Sequence, residues 1–339
     1  MKITSAFIAS LLISLLISCG VSHDMQSMNS GDEGGIGGTG MLAQESGLGG
    51  TGIIGEVTGF GSIFVNGEEL ELDKHTQLFV DGEPVRSRDF SRGEVVSARA
   101  VNRGQQIFAR EIYLRHEVIG SVQKVMANGN LIILGQTVVV GTHFAPQPEQ
   151  QVRVSGFRDN QGVIHASYIG SLDSPQNLLV GQLQRDGNGW HIGGQMLKLS
   201  IDSRLQQGQM LRVRGRLNAG VLQVSQWSAV DALPFKKPVS KLLVQGFVQN
   251  INPAEYRIAG RMFSSSALQS PLLQQQSKLL RLELQGGSGE WKMLRLLVPE
   301  NLPMGKASAV PANRMRPMQR PGSKRMPMFM NSMPGRNMH

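Results

Sequence analysis

Gly49-Gly50-Thr51-Gly52-Ile53-Ile54-Gly55-Glu56-Val57-Thr58-Gly59-Phe60-Gly61-Ser62-Ile63-Phe64-Val65-Asn66-Gly67 is the stretch from which the fold follows. Ser62 to Val65 is a short β-prone run. Asn66-Gly67 supplies two residues that tolerate positive φ in a type I′ turn, and Glu68 to Leu72 returns with Leu70 and Leu72 alternating with acids. The spacing predicts a β-hairpin with one buried face. Gly59 and Gly61 flank Phe60 where the first strand bends into the second, and glycine inside a strand pattern marks a bulge or a close backbone approach. A barrel corner requires such a bend.

Reduced versions of this start recur along the chain. Ile54-Gly55-Glu56-Val57, Ile119-Gly120-Ser121-Val122, Val180-Gly181-Gln182-Leu183 and the altered Val244-Gln245-Gly246-Phe247-Val248 place their glycines 65, 61 and 65 residues apart. Such regularity calls for repeated modules. A fourth strand of period two follows in each, at Val95–Arg99, Val152–Gly156, Leu211–Gly215 and Leu280–Leu284. Turns rich in Asn, Asp and Gly then lead to closing strands at Gln106–Leu114, Val163–Ile169, Val221–Trp227 and Trp291–Val298. Ser266 to Gln276 is the one stretch compatible with a short helix.

About five strands in about 60 residues, with a strong bend after the first, indicates a small OB-like or SH3-like barrel. The fold class is therefore all-β: tandem five-stranded barrels in a row, between a flexible N-terminal tether and a disordered C-terminal tail. The expected segments are a signal peptide (1–18), a tether (19–52), barrels over 53–116, 117–173, 177–231 and a divergent 241–298, and a basic tail (299–339). A unit of this size buries little core alone, so neighbouring units are expected to pack together.

Met1-Lys2 followed by the apolar run Ala6–Ile17 has the charged and hydrophobic regions of a secretory signal. The run is too short to span a bilayer. It ends in Leu16-Ile17-Ser18-Cys19-Gly20, which resembles the bacterial lipoprotein processing box, with Cys19 as the residue that takes the lipid. Cys19 is the only cysteine, so an exported chain has no internal disulfide to form and its single thiol serves as an anchor. Gly20 after the cysteine is similar to Gram-negative lipoproteins sorted to the outer membrane. The Gly/Ser-rich residues up to Gly52 reach about 30 Å as a flexible chain. Two G-x-G-x-x-G matches, Gly35–Gly40 and Gly47–Gly52, lie there with no strand before and no helix after, and are read as glycine repeats without a nucleotide.

The formal charge of +9 does not mark a nucleic-acid groove. Residues 299–339 carry seven Lys/Arg against Glu300, leaving a nearly neutral body at +3, so the basicity belongs to the tail. That tail also holds eight Met and seven Pro. Met326, Met328, Met330 and Met333, with His339 nearby, place soft thioethers at a spacing that suits Cu(I) or Ag(I). A basic, weakly apolar segment lying on anionic lipid or polysaccharide is the simpler account of the same residues.

No G-x-S-x-G, H-E-x-x-H, C-x-x-C or phosphate loop occurs, which removes the sequence support for the common hydrolase, zincin, redox and NTPase chemistries. The seven histidines are scattered singly. Glu68, Glu69, Glu71 and Asp73 form a carboxylate cluster that could hold a hard cation or serve acid/base work, but a solvated hairpin edge whose acids discourage strand pairing is the plainer reading. Phe60 and the fourth-strand arginines Arg153, Arg212 and Arg214 are the candidate binding surface; a solvated outer face of the strand is the plainer reading of the arginines.

The first unit, from Gly55 through Gly67 with Phe79-Val80-Asp81-Gly82 and Gly93-Glu94-Val95-Val96, resembles the bacterial domain of unknown function number 5666. The resemblance is close in the first unit and fades in the third and fourth. It implies a secreted or lipidated protein with tandem copies and no assigned activity or catalytic residue. The expectation is an envelope lipoprotein that acts as a binding or structural module without enzymatic activity or cofactor. Its partners would be the membrane, through the anchor, and an envelope protein or polysaccharide. Handling of Cu(I) or Ag(I) by the tail, and polyanion binding by the barrels, are the alternatives.

Overall fold

The computed structural model describes residues 50–142, 144–200, 204–253, 255–264, 278–287 and 290–297. Every regular element among them is a strand. Asn66 and Gly67 adopt φ of 55° and 85°, the left-handed pair that a type I′ turn needs, and they join β2 (Ile63–Val65) to β3 (Glu68–Leu70). The register pairs Val65 with Glu68 and Ile63 with Leu70, so Ile63, Val65 and Leu70 share the buried face. The bend predicted at Gly59 is a register shift between Val57 and Gly59 as β1 (Gly50–Gly59) passes to β2.

In the first barrel β1 also pairs antiparallel with β6 (Val95–Arg103), which pairs with β7 (Gln106–Leu114). A parallel bridge between Glu71 and Phe108 closes the circle. Past that bridge the hairpin β4 (Gln77–Val80) and β5 (Glu83–Val85), turned by Asp81-Gly82, continues along β7.

The second barrel comprises β8 (Val118–Val125), β9 (Leu131–Ile133), β10 (Gln136–Val139), β11 (Gln151–Arg158) and β12 (Ile164–Ser171). The third comprises β13 (Leu178–Asp186), β14 (Gly189–Ile192), β15 (Gln195–Lys198), β16 (Met210–Asn218) and β17 (Val221–Ala229). Both close in the order first, second, third, fifth, fourth, with the third and fifth strands parallel. That circuit decides between the two barrel types considered above: it is the OB-type order.

The fourth unit has β18 (Val239–Asn252) flanked on one side by β19 (Glu255–Ile258) and β20 (Arg261–Ser264), and on the other by β21 (Leu279–Gly287) and β22 (Glu290–Leu297). Its closing pair is not among the described residues. All four fourth strands shift register against the fifth at the same relative place, between Arg99 and Ala100, Ser155 and Gly156, Arg214 and Gly215, and Glu283 and Leu284. These bulges bend a flat ribbon into a small closed barrel.

The row of barrels along the chain is not a row in space. The first strand of the first barrel pairs parallel with that of the fourth, Ile53 opposite Leu243 and Ile54 opposite Val244. The second and third barrels join through an antiparallel pair, Val118 opposite Leu179 and Ile119 opposite Leu178, and share one continuous core. A small cluster of Val95, Phe157 and Phe247 ties the first, second and fourth barrels together. The physical reason is edge management: each unit turns its first strand toward another unit, so backbone groups that would face solvent are paired.

Candidate functional site

The second, third and fourth barrels enclose a cleft of about 260 Å³. Its floor is built by the connection Arg115–Glu117 between the first two barrels. Glu117 is almost fully buried and holds two guanidinium groups, Arg115 Nη2 at 3.0 Å and Arg158 Nε at 2.8 Å. Arg158, at the end of β11, also donates to Gln136 Oε1, the Gly162 carbonyl and, at 2.6 Å, the Val180 carbonyl of the third barrel. Gln136 in turn donates from Nε2 to the Ile192 carbonyl at 2.8 Å. On the opposite wall, Gln249 of β18 donates to the carbonyls of Arg158 and Asp159 at 3.1 and 2.7 Å. The bonds from Arg158 to Val180, from Gln136 to Ile192 and from Gln249 to Arg158 and Asp159 cross barrel boundaries and tie the walls of the cleft together.

The charges of the lining are matched with one exception. Glu117 is taken by two arginines, and Asp159 Oδ2 lies 2.8 Å from His165 Nε2 while its Oδ1 accepts the backbone N–H groups of Gln161 and Val163. Arg257 of β19 has no carboxylate partner among the described residues, and its one side-chain hydrogen bond among them is to Gln182 Oε1, at 3.5 Å. Burial pushes its guanidinium below the ordinary arginine value, with no neighbouring acid to offset the shift. The side-chain amides of Gln161, Gln184 and Asn250 also line the cleft and hydrogen-bond to no other described residue.

The candidate binding residues are placed elsewhere. Phe60 is 55% exposed at the bend between β1 and β2 and does not line the cleft. Arg153 turns along its own barrel, with Nη2 3.2 Å from the Tyr168 hydroxyl and the guanidinium 5.8 Å from that ring's centre. Arg212 and Arg214 face the first barrel and not bulk solvent. Arg214 Nη2 donates to the Asp81 carbonyl at 2.9 Å, and both line a smaller cavity of about 110 Å³ beside the Asp81-Gly82 turn. The four residues do not converge on one surface.

Asp81 is the centre of that second contact. It is buried, and its Oδ1 accepts the His116 backbone N–H at 2.9 Å while Oδ2 lies 2.7 Å from His116 Nδ1. Burial pushes the Asp81 carboxyl up, but the His116 hydrogen bond and charge, its backbone N–H and the Arg212 charge together hold it below the usual carboxylate range.

Among the described residues no three His, Cys, Asp or Glu side chains gather where a metal ion could be held. The acids after the Asn66-Gly67 turn separate: Asp73 pairs with Arg110 at 3.1 Å, and Glu69 accepts from Ser62. His116, His165 and His191 each face a different aspartate. Cys19, the two complete G-x-G-x-x-G matches, the helix expected over 266–276, and Met326, Met328, Met330, Met333 and His339 lie wholly or partly outside the described residues.

Sequence reasoning missed Arg115, Glu117, Arg158, Gln249 and Arg257. Each sits at a position where a polar residue on a strand or linker carries no local signal. Gln245, an amide where the equivalent residues of the other units are Ile54, Ile119 and Val180, is the one sequence anomaly on the fourth unit's first strand, and it points to the first barrel and not to the cleft.

Residues 119–170 match a family described as a domain of unknown function, DUF5666. The matched segment is the second barrel. The resemblance read from the sequence is close in the first unit, whereas the match falls on the second. The first unit carries the extra β4–β5 hairpin beyond its closing bridge, whereas the second has five strands and nothing more. No curated protein and no solved structure matches the chain.

Proposed function

We propose that this protein is a non-enzymatic binding module of the cell envelope, anchored through a lipid on Cys19, with the cleft between the second, third and fourth barrels as its binding site. The observation that carries the reading is the construction of that cleft. Three barrels contribute to one concave surface whose buried charges are paired, while neutral amides and one cation are left facing the opening. Concave surfaces at the junction of folded units are where ligands are most often held. The lining supplies donors and acceptors but no paired base and nucleophile, an arrangement suited to recognition more than to bond cleavage.

Two measurements test the reading. Cys19→Ser in the full chain is expected to abolish acyl labelling and move the protein from the membrane to the soluble fraction; unchanged partitioning would overturn the anchor. Gln184→Trp is expected to plug the cleft from its exposed rim and to reduce capture of envelope polysaccharide by the purified protein. Equal capture by the variant and the parent would place binding elsewhere.

A further inference from the structure

We infer that the cleft takes a carboxylate-bearing sugar, the acid seated on Arg257 and the hydroxyl groups on the free amides of Gln161, Gln184 and Asn250. This deepens the binding reading above and rests on it. The argument begins with charge. Arg115, Arg158 and Arg257 face Glu117 and Asp159 across the lining, and both acids are already engaged. The site therefore presents one unopposed positive charge, and the cost of holding Arg257 half-buried without a counter-ion is recovered when an anion arrives.

The number and kind of groups narrow the anion. A guanidinium fork matches a carboxylate bidentately. A phosphate dianion would bring two negative charges to one free cation, whereas a carboxylate brings one. The remaining polar groups are amides, which donate and accept together and so suit vicinal hydroxyls. Ile251, 43% exposed, and Met210 add an aliphatic surface on which the C–H face of a sugar ring can lie. A volume of about 260 Å³ fits a single ring with its neighbours protruding.

The ligand could be a free sugar acid or one residue of an acidic polysaccharide, and the experiment separates them. Full-length protein is titrated calorimetrically with galacturonate, trigalacturonate and neutral maltotriose, using the parent, Arg257→Gln and Gln184→Trp, each first checked for an unchanged far-ultraviolet spectrum and melting temperature. Trigalacturonate is expected to bind the parent, to weaken with added salt, and to lose at least tenfold in affinity in both variants, with maltotriose binding weakly or not at all. Galacturonate binding as tightly as the trimer would assign a free sugar acid; clear preference for the trimer would assign a polymer. Equal binding of maltotriose and trigalacturonate, unaffected by Arg257→Gln but lost in Gln184→Trp, would overturn the acid and keep the cleft. Trigalacturonate binding that survives both substitutions would overturn the inference and the cleft together. Failure of the parent to bind either acidic sugar would overturn the sugar-acid class.

Discussion

The side-chain oxygen of Gln245 accepts a hydrogen bond from the backbone N–H of Glu56 at 3.1 Å, joining the last barrel to the first across 189 residues of chain. Gln245 is 3% exposed, in a position where the other units carry Ile or Val. Its polarity is therefore explained by a partner in another barrel. Gln245→Leu would strand the Glu56 N–H next to the parallel β1–β18 seam. We expect a loss of about 1–3 kcal/mol, read as a shift of the urea midpoint. An unchanged midpoint would show that the seam does not depend on this bond.

Glu117 is expected to be the most costly acid to neutralise. Its carboxylate is buried between Arg115 and Arg158, and Arg158 extends the contact to the third barrel. Glu117→Gln preserves shape and leaves two guanidinium groups without their anion, which should destabilise the protein by about 3 kcal/mol. The same substitution should raise amide hydrogen exchange at Val180, whose N–H donates to the Glu117 carbonyl. A stability loss confined to a few tenths would contradict the role assigned to Glu117.

The pH dependence of Asp81→Asn follows from the sign of its shift. The folded carboxyl lies below its ordinary value of 3.8, so its contribution is present above that value and is lost as the pH falls through the lower, folded one. The variant should be less stable than the parent by about 1–3 kcal/mol at neutral pH. The gap should begin to close as the pH falls below about 4, where the unfolded carboxyl takes up its proton, and should vanish only once the pH has passed the lower, folded value, where both chains carry a neutral group at this position. Urea melts at pH 7 and at pH 3 give the two differences; a gap that widens in acid would contradict the role of His116 and Arg212 as its partners.

Gly135 and Gly129 separate close approach from simple backbone preference. Both have positive φ, 63° and 83°. A Cβ on Gly135 would lie 2.5 Å from the carbonyl carbon of Gly194, where the hairpin tips of the second and third barrels meet and the Gly194 N–H donates to the Gly135 carbonyl at 3.2 Å. Around Gly129 the space is open. Gly129→Ala should therefore cost about 1 kcal/mol, from conformation alone, and Gly135→Ala about 2–4 kcal/mol in thermal melts. Equal losses would mean that the tips can separate freely.

The hairpin at Asn66-Gly67, the bend near Gly59 and the alternating fourth and fifth strands were legible because each depends on residues a few positions apart. Positive φ at Asn-Gly, a period of two, and glycine where a strand bends are local requirements, and the recurrence of the start motif at intervals of 61 to 65 residues extended them to four units. The arginines of the fourth strands show the limit of that reasoning. Arg153 and Arg214 both lie on fourth strands, two positions apart in the repeat, yet one turns to Tyr168 in its own barrel and the other reaches Asp81 in a different one.

The sequence by itself determined an all-β chain of small bent-strand units, since the information for turns and for buried faces is written within each unit. Only the tertiary structure decided that β1 pairs with a strand nearly 190 residues later, and that Arg257 faces the cleft with no carboxylate partner among the described residues. Those outcomes depend on which barrel edges meet. Strand edges expose the same N–H and C=O groups whatever the side chains, so their pairing leaves little local trace in the order of residues.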